Sequence, residues 1–312
     1  MELVSLEQLV SPDHPYRKYL KVIDIESAMK PLEGMDNVGR GADGYGVKTH
    51  FKFLLLQFLE DNSDREHERF LAENTAAKWF CGLSLNDKSP DHSTFCRMRK
   101  KIGTKRLSQI FELLQSQLKK RGYLSEIFVF VDSSKLISKN NLWAERDKLL
   151  AQKIDKLGNN EVPKVAKDKQ ARVGCKGKNK YWYGYKKHTS VDMQSGLIHK
   201  IAVTPANVSD SSGLKHICPK AGAVYGDKGY CGKGAARTIK MNGCHNATIK
   251  RNNMKSKNKD LDRWHTKLRA PYERVFSKNK NRVRYNGIAK NQFTEFMNAI
   301  GHNVKRMVVL TS

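Results

Sequence analysis

The chain changes character at Ile127, and this change constrains its fold more than any other feature of the sequence. The run Ile127–Val131 is continuously apolar, β-branched and aromatic, which is typical of a strand buried on both faces. Asp132 interrupts the run, so we expect the strand to end there. In residues 1–125 the apolar residues recur at the spacing of helices, whereas patterns of strands and helices alternate in the residues that follow. The sequence therefore predicts a helical domain at residues 1–125 and a domain with a mixed sheet at residues 126–312.

The helical part contains one clear helix start. Ser63 and Glu66 have the spacing of a capping box. They predict one helix that continues through Trp79 and Phe80 and ends near Gly82.

A short basic helix follows. A turn at residues 89–93 leads into a predicted helix at residues 94–102, which Gly103 ends. Two helices joined by a turn resemble a helix-turn-helix, in which the second helix binds DNA. Simple packing of this helix is the alternative, and both interpretations stay open. The basic residues that would reach DNA are Arg97, Arg99, Lys100 and Lys101.

After Asp132 the chain reads as a mixed α/β sheet covered by helices on both faces. A hydrophilic, basic stretch of about fifty residues comes first, and a predicted hairpin follows it. His188 and Asp192 face the same way on the first hairpin strand, which predicts a pair on the sheet surface. The predicted elements are strands at 185–191, 197–203, 223–225 and 247–249, and helices at 234–241, 262–279 and 290–308.

The net charge is concentrated in two segments. The chain carries 58 Lys and Arg against 31 Asp and Glu, a formal net charge of +27. Residues 1–130 are nearly neutral, with 20 basic and 18 acidic side chains. Residues 133–191 hold 15 basic against 5 acidic, and residues 250–290 hold 14 against 3. Two separate segments with an excess of positive charge favour contact with a phosphate backbone, so we expect nucleic acid as the partner.

Several classes of protein are not expected. No stretch approaches the roughly 18 apolar residues of a membrane span, and the opening residues lack the features of a signal peptide. The six cysteines are scattered without a Cys-x-x-Cys pair, which suits reduced cytoplasmic thiols. Cys231, Cys244 and His245 lack a fourth partner for structural zinc. We therefore expect a cytoplasmic, nucleoid-associated protein without a membrane partner.

Two aspartates directly follow apolar runs in a region with few acids. Residues 131–290 contain twelve acidic side chains, and Asp132 and Asp227 each come after a predicted strand. Ligands bind at the carboxyl ends of strands in open α/β sheets. A turn-forming role is the alternative for each aspartate alone. Carboxylates at such an edge suit a hard cation such as Mg²⁺, and phosphodiester chemistry commonly uses two such ions.

Glu273 is the third carboxylate that such a site needs. It shares a face of the predicted helix 262–279 with Arg269 and Lys280, at spacings of four and seven residues. A surface salt bridge to Arg269 is the alternative. The adjoining face predicts packing on a sheet, through Trp264, Leu268, Tyr272 and Val275.

These three acids resemble a known constellation. Asp132, Asp227 and Glu273, on a first strand, a fourth strand and a late helix, look like the DDE triad of transposases with a ribonuclease-H-like fold. Residues 227–230, Asp-Lys-Gly-Tyr, resemble the D-x-G-Y element of insertion-sequence transposases. Arg269, Glu273 and Lys280 resemble the R-E-K part of their Y-R-E-K signature, although Thr266 stands at the place of the tyrosine.

Other segments extend the resemblance from about residue 10 to 305. Residues 204–210 are similar to the family's T-x-A-N-x-x-D segment. Residues 63–66, 79–83 and 90–95 resemble the helical domain of InsH-type insertion-sequence transposases. Several separated motifs in the right order make the resemblance specific.

The resemblance implies a catalytic fold and a reaction. The second domain would be ribonuclease-H-like, with a basic insertion at about residues 133–183. Asp132, Asp227 and Glu273 would hold two Mg²⁺ or Mn²⁺ ions for cleavage and strand transfer. The partners would be double-stranded DNA, as terminal inverted repeats and target, and further copies of the chain in a homo-oligomer on paired ends.

Further contacts with DNA follow from the same resemblance. Lys228, Arg269 and Lys280 would contact phosphates beside the scissile bond. Trp143 or Trp182 would stack on an extruded base, with anchoring of a loop as the alternative.

Two other functions remain open from sequence alone. A catalytically inactive, transposase-derived DNA-binding protein would keep the fold without the chemistry. An RNA-binding protein of ribosomal-type charge would bind without metal dependence. The presence of all three acids favours the enzyme.

Overall fold

The computed structural model describes residues 5–36, 44–140, 159–176, 180–254, 257–272 and 281–312. The chain divides into two compact units, Met1–Gly122 with Phe296–Ser312, and Tyr123–Glu295. The first unit thus includes residues 296–312, which the sequence-based division assigns to the carboxy-terminal domain. The division into functional domains stays a prediction.

Helices build the described part of the first unit. No helix among the described residues of the chain has the length and apolar character that crossing a membrane requires. A 3₁₀ turn lies at Lys30–Leu32. The helices of residues 5–122 are α1 (Leu6–Leu9), α2 (Pro15–Val22), α3 (Ile25–Ala28), α4 (Val47–Leu59), α5 (Asp64–Glu73), α6 (Thr75–Cys81) and α7 (His92–Lys120).

The predicted capping box forms, but the predicted single helix is two helices. Ser63 Oγ accepts a hydrogen bond from the backbone N–H of Glu66 at 3.3 Å, and Glu66 Oε2 accepts one from the N–H of Ser63 at 2.8 Å. Asn74 then ends α5, and its side chain accepts the N–H of Ala77 at 2.8 Å to begin α6. Gly82 ends α6 at φ 75°. Asn74 divides the helix because its side chain competes for backbone donors.

Helix α7 contains the predicted basic helix and continues beyond it. Asp91 caps its start by accepting the N–H of Ser93 at 2.7 Å. Gly103 interrupts the helical backbone at φ 69° and ψ 165°, a conformation that glycine adopts without the cost of a Cβ clash. The chain then returns to helix as far as Lys120.

His67 lies in the core of the helical unit. Its side chain is fully buried, and its ring is 5.2 Å from the ring of Phe95 and 6.1 Å from that of Phe70. Burial lowers the pKa of His67 to about 4, because desolvation disfavours the charged imidazolium. The folded chain therefore keeps this imidazole neutral.

This neutral histidine predicts a pH dependence of stability. Below its usual pKa of about 6.5, the unfolded chain binds a proton that the folded chain rejects. The stability that the neutral imidazole contributes is fully present above that pH and is lost as the pH falls toward 4. Between pH 7 and pH 5 we expect His67 to cost about 2 kcal/mol of unfolding free energy.

Urea unfolding of the wild type and His67→Met at pH 7 and pH 5 measures this contribution. The comparison isolates His67 from other histidines, and methionine fills a comparable apolar volume. The variant should lose about 2 kcal/mol less than the wild type between the two pH values. Equal losses in both proteins would contradict the assignment.

The second unit is built around a six-stranded sheet. The predicted combination of helices with a mixed sheet is confirmed. The 3₁₀ turns lie at Leu214–His216, Lys228–Tyr230 and Ala270–Tyr272. The strands are β1 (Phe128–Ile137), β2 (Arg172–Lys176), β3 (Lys180–Asp192), β4 (Ile198–Pro205), β5 (Ala223–Gly226) and β6 (His245–Thr248). Its helices are α8 (Val162–Val165), α9 (Asp210–Gly213), α10 (Lys233–Met241) and α11 (Lys259–Arg269). The last helix, α12 (Ile288–Thr311), begins in this unit and continues into residues of the first.

Strand β1 lies at the centre of this sheet. The strand order is β2-β3-β1-β5-β6, and β4 pairs with β3. Strand β3 is antiparallel to β1 and to β4, whereas β5 is parallel to β1 and to β6. One edge of β1 therefore meets a hairpin and the other meets parallel strands.

Two expectations about β1 are wrong. The strand does not end at Asp132 but continues to Ile137, because β3 pairs with it as far as Gly184. Its first part is also not buried on both faces, since Ile127 is 57% exposed and Phe128 is 49% exposed. Long-range pairing with β3 has extended a strand that local polarity alone would stop.

Apolar packing on one face of the sheet fixes α10 and the 3₁₀ turn after α9. Val129 and Val131 of β1 pack in one buried cluster with Val224 of β5. Tyr230 and Ile239 complete the cluster together with residues of the 3₁₀ turn after α9. Each fully buried large side chain stabilises the fold by about 1.5–3 kcal/mol.

The predicted packing face of the helix at 262–279 is wrong. Helix α11 ends at Arg269, and a 3₁₀ turn with Pro271 follows, because proline cannot continue the helical hydrogen bonds. Trp264 is 52% exposed, so this first residue of the predicted stripe does not pack on the sheet, and Val275 lies outside the described residues. His265 is buried instead, and its ring stands edge-on to Tyr225 of β5 at 5.4 Å.

Candidate active site

Asp132 and Asp227 come to equivalent positions on neighbouring parallel strands. The β1–β5 ladder pairs Val131 with Gly226, the residues directly before the two aspartates. Adjacent strands lie about 4.8 Å apart, so the aspartates follow the ladder side by side. Both residues are half-buried. The parallel register thus brings together two of the three predicted carboxylates.

Short local hydrogen bonds hold both carboxylates. Asp132 Oδ1 accepts the N–H of Ser133 at 2.7 Å. Asp227 Oδ1 accepts the N–H of Gly229 at 2.8 Å and so caps the 3₁₀ turn at Lys228–Tyr230. This cap ends β5 while keeping Asp227 beside β1.

Several predicted site residues lie outside the described part of the chain. These are Glu273 and Lys280 of the predicted helix and Trp143 of the basic stretch. Arg269 ends α11, and its backbone alone is described. Their roles stay predictions.

Asp210 is a third carboxylate at this position, and sequence reasoning alone does not assign it to the site. Its Oδ1 accepts hydrogen bonds from Ser133 Oγ at 2.7 Å and from Lys186 Nζ at 2.8 Å. A Cβ added to Gly229 would lie 2.8 Å from Asp210 Oδ2 and 2.9 Å from Asp227 Oδ1. The two carboxylates therefore face each other across Gly229. The T-x-A-N-x-x-D segment, which ends in Asp210, was the available signal.

The electrostatics of this cluster keep Asp210 ionised and Tyr230 protonated. Burial alone would raise the pKa of Asp210, but the hydrogen bond and charge of Lys186, with help from Ser133, lower it overall. Burial and the charges of Asp210, Asp132 and Asp227 raise the pKa of Tyr230 well above its usual value. A protonated phenol thus lies against three carboxylates.

A basic cavity adjoins Lys228, the residue after Asp227. Its volume is about 510 Å³. One acid, Asp262, lines it beside four cations, so its charge is positive at neutral pH. Thr266, at the place of the family's signature tyrosine, is part of its wall. The other lining residues are Lys228, Ile249, Asn252, Lys257, Lys259 and Arg263.

The basic helix at the start of α7 divides into exposed and buried side chains. Arg97, Lys100 and Lys101 are exposed. The side chain of Arg99 is 10% exposed and donates hydrogen bonds to both oxygens of Asp64, at 3.0 and 2.5 Å. Arg99 therefore joins α7 to α5 within the first unit.

Trp182 is packed against the sheet. Its Nε1 donates a hydrogen bond to the carbonyl of Tyr185 at 3.0 Å, and Lys186 Nζ lies 5.9 Å from its ring. The ring also covers Gly174 of β2. These contacts favour a structural role over base stacking, although Trp182 lies in β3 and not in the loop that the alternative expected.

The predicted surface pair of His188 and Asp192 is wrong. Both side chains are fully buried. His188 Nε2 lies 2.9 Å from Thr204 Oγ1, and burial lowers the pKa of His188 to about 4. Asp192 accepts the backbone N–H groups of Gln194 and Ser195, so it holds the turn between β3 and β4.

One compact group of potential metal ligands lies elsewhere. Within the described ranges, Glu68, Asp91 and His92 are the group whose ligand atoms all lie within 4.8 Å of one another. His92 Nδ1 is 3.0 Å from Glu68 Oε2, which also accepts the N–H of His92 at 3.2 Å. Because Asp91 caps α7, this group serves to hold the start of that helix against α5.

The contacts of Arg99 predict a structural role. Arg99→Ala leaves the half-buried carboxylate of Asp64 without its charged partner, so we expect a loss of about 1.5–3 kcal/mol in unfolding free energy. The exposed Lys100→Ala should change it by less than about 0.5 kcal/mol. Urea unfolding of both variants measures the difference, and equal stabilities would contradict this role.

Two family models match the chain. The model "Transposase domain (DUF772)" matches residues 4–101, and the model "Transposase DDE domain" matches residues 151–304. The second match includes Asp210, Asp227 and Glu273, whereas Asp132 lies before it.

Solved structures give a weaker comparison. One is titled "Mos1 transposase paired-end complex with left transposon end", and another "Crystal structure of a pre-cleavage Mos1 transpososome". Each match has 7% sequence identity and covers 88% of this chain and 82% of the other chain, with a TM-score of 0.19. A superposition at that score does not establish a shared fold.

Proposed function

This chain belongs to the DDE transposases of insertion sequences, and we propose that it binds the ends of its element and catalyses DNA cleavage and strand transfer there. The observation that carries the proposal is the register of β1 and β5, which sets Asp132 and Asp227 side by side after paired strand residues. Glu273, inside the matched DDE domain, is the third catalytic carboxylate. The central sheet, with a hairpin on one side of β1 and parallel strands on the other, is ribonuclease-H-like.

The residues present fit a pair of divalent cations. Asp132 and Asp227 offer carboxylate oxygens, the ligand type that Mg²⁺ and Mn²⁺ prefer. Together with Glu273 they would hold two ions, which supply Lewis-acid activation and neutralise charge on the phosphate when bound. The chain itself preorders these oxygens through the N–H groups of Ser133 and Gly229.

The reaction consists of two in-line displacements at phosphorus. Water attacks the phosphodiester at the end of the element, and the bond to the 3′ oxygen breaks to free a 3′-hydroxyl. That hydroxyl then attacks a target phosphodiester, whose own 3′ oxygen leaves. Both steps exchange one P–O bond for another, so no covalent intermediate with the protein is required.

The DNA contacts are spread over both units. The basic cavity beside Lys228 holds backbone phosphates next to the carboxylates, and Arg269 and Lys280 extend this surface. Arg97, Lys100 and Lys101 of α7 contact DNA from the first unit. Terminal inverted repeats and target DNA are the partners, and a homo-oligomer brings two ends together.

Removing each carboxylate tests the catalytic assignment. We expect Asp132→Ala, Asp227→Ala and Glu273→Ala each to lower Mg²⁺-dependent cleavage of an end-containing duplex at least about a hundredfold, a barrier increase of roughly 3 kcal/mol. DNA binding by gel shift should persist. Cleavage that survives one substitution removes that residue from the triad, and a wild type that binds ends without cleaving them is an inactive, transposase-derived DNA-binding protein.

The salt dependence of binding tests the basic cavity. Each lost phosphate contact lowers the slope of log affinity against log salt by about 0.9. The double variant Lys259→Ala, Arg263→Ala should therefore flatten the slope by one to two such steps. Fluorescence anisotropy across a salt series provides the measurement.

A matched double variant controls for total charge. Lys215→Ala with Lys240→Ala removes two exposed cations outside the cavity. We expect a smaller change of slope for this pair. Equal changes in the two double variants would contradict the assignment of the cavity.

A further inference from the structure

Asp210 is held with one oxygen engaged and the other beside Gly229, which also adjoins Asp227. Ser133 and Lys186 both donate to Oδ1, and Lys186 also donates to the carbonyl of Val208 at 2.9 Å. The Lys186 side chain is 11% exposed, so this arrangement is shielded from solvent. The orientation of the second oxygen is therefore fixed by the protein.

Gly229 lets the two carboxylates approach. A Cβ there would meet Asp210 Oδ2 at 2.8 Å and Asp227 Oδ1 at 2.9 Å, distances too short for any real side chain. Two carboxylates that flank one glycine in this way repel each other at low local dielectric. Such a pair is stabilised when a cation lies against both oxygens.

A buried hydroxyl points to the same place. Tyr230 is fully buried, and no hydrogen bond of full geometry reaches its hydroxyl among the described residues, although Ser133 lies near enough to lower its pKa. Asp210, Asp132 and Asp227 are its charged neighbours. A buried donor without a partner is uncommon and indicates a ligand or bound water at that position. This hydroxyl is independent of the contacts between the carboxylates.

We propose that Asp210 supplies a further oxygen ligand, through Oδ2, to the divalent cation held by Asp227. The proposal rests on the proposed function and adds a fourth carboxylate to it. Ser133 and Lys186 act as positioning residues, because they fix Asp210 without facing the cation. The ligand class is a hard divalent ion, Mg²⁺ or Mn²⁺, which prefers carboxylate oxygen.

The test is Mn²⁺ affinity of the full chain without DNA, measured by the paramagnetic resonance of free ion. Asp210→Asn keeps the shape and an acceptor for Ser133 but removes the charge. We expect its affinity to fall about 10- to 100-fold, and its melting temperature without metal to fall as well, because the buried Lys186 loses its charged partner. Its melting temperature should also rise less than that of the wild type when Mn²⁺ is added.

Glu161→Gln is the matched control. Glu161 and Asp210 have the same side-chain exposure of 26%, and each forms an ion pair with one lysine. Glu161 pairs with Lys164 and not with the carboxylate cluster. We expect wild-type Mn²⁺ affinity for this variant.

Asp227→Asn separates failure of this inference from failure of the proposed function. If Asp227→Asn loses Mn²⁺ affinity while Asp210→Asn matches Glu161→Gln, the inference is overturned and the proposed function stands. If Asp227→Asn keeps both metal affinity and cleavage, the proposed site itself is wrong.

Ser133→Ala decides the matter should Asp210→Asn fail to fold. This variant leaves the carboxylate and Lys186 in place but removes one of the two donors to Oδ1. We expect a loss of Mn²⁺ affinity of about tenfold. Affinity equal to that of the wild type would overturn the role of Asp210.

Discussion

The parallel pairing of β1 with β5 is the constraint on which the site depends. The ladder runs from Phe128 and Ala223 to Val131 and Gly226. Beyond this ladder β1 continues as a strand because it stays paired with β3. Strand β5 ends instead, since Asp227 accepts the N–H of Gly229 and begins a 3₁₀ turn. The two strands part at the point where the aspartates stand. A shift of one residue in this register would send one carboxylate to the opposite face, so the apolar packing that fixes the register also fixes the chemistry.

Local patterns in the sequence were sufficient for the elements whose stability is local. The capping box of Ser63 and Glu66 predicted the start of α5, and the hairpin of β3 and β4 follows from alternation around a tight turn. The sequence did not predict β2, Arg172–Lys176, because it is short, lies in the basic stretch and forms through pairing with β3. The extension of β1 to Ile137 has the same cause. Both depend on partners distant in sequence, which no periodicity within the segment reports.

The candidate site shows the same division between local and distant information. Asp132 and Asp227 stand out because each follows an apolar run in a basic region. Asp210 lacks such a run, and its partner Lys186 lies 24 residues away on another strand. The sequence pattern groups Arg99 with basic residues that would reach DNA, although its contacts with Asp64 bury it. Charge counts identify which residues are unusual, but hydrogen bonds between elements decide which of them face a ligand and which hold helices together.

The ion pair of Lys186 and Asp210 explains how so acidic a cluster can exist before any ligand binds. Burying a carboxylate is costly unless hydrogen bonds and an opposite charge compensate. Lys186 and Ser133 provide this compensation at one oxygen of Asp210, so the repulsion that remains acts between outward-facing oxygens. Because those oxygens cannot turn away, the repulsion raises their affinity for cations and does not open the fold. Lys186 thus keeps Asp210 ionised and holds its orientation, while its own positive charge opposes a cation beside the second oxygen.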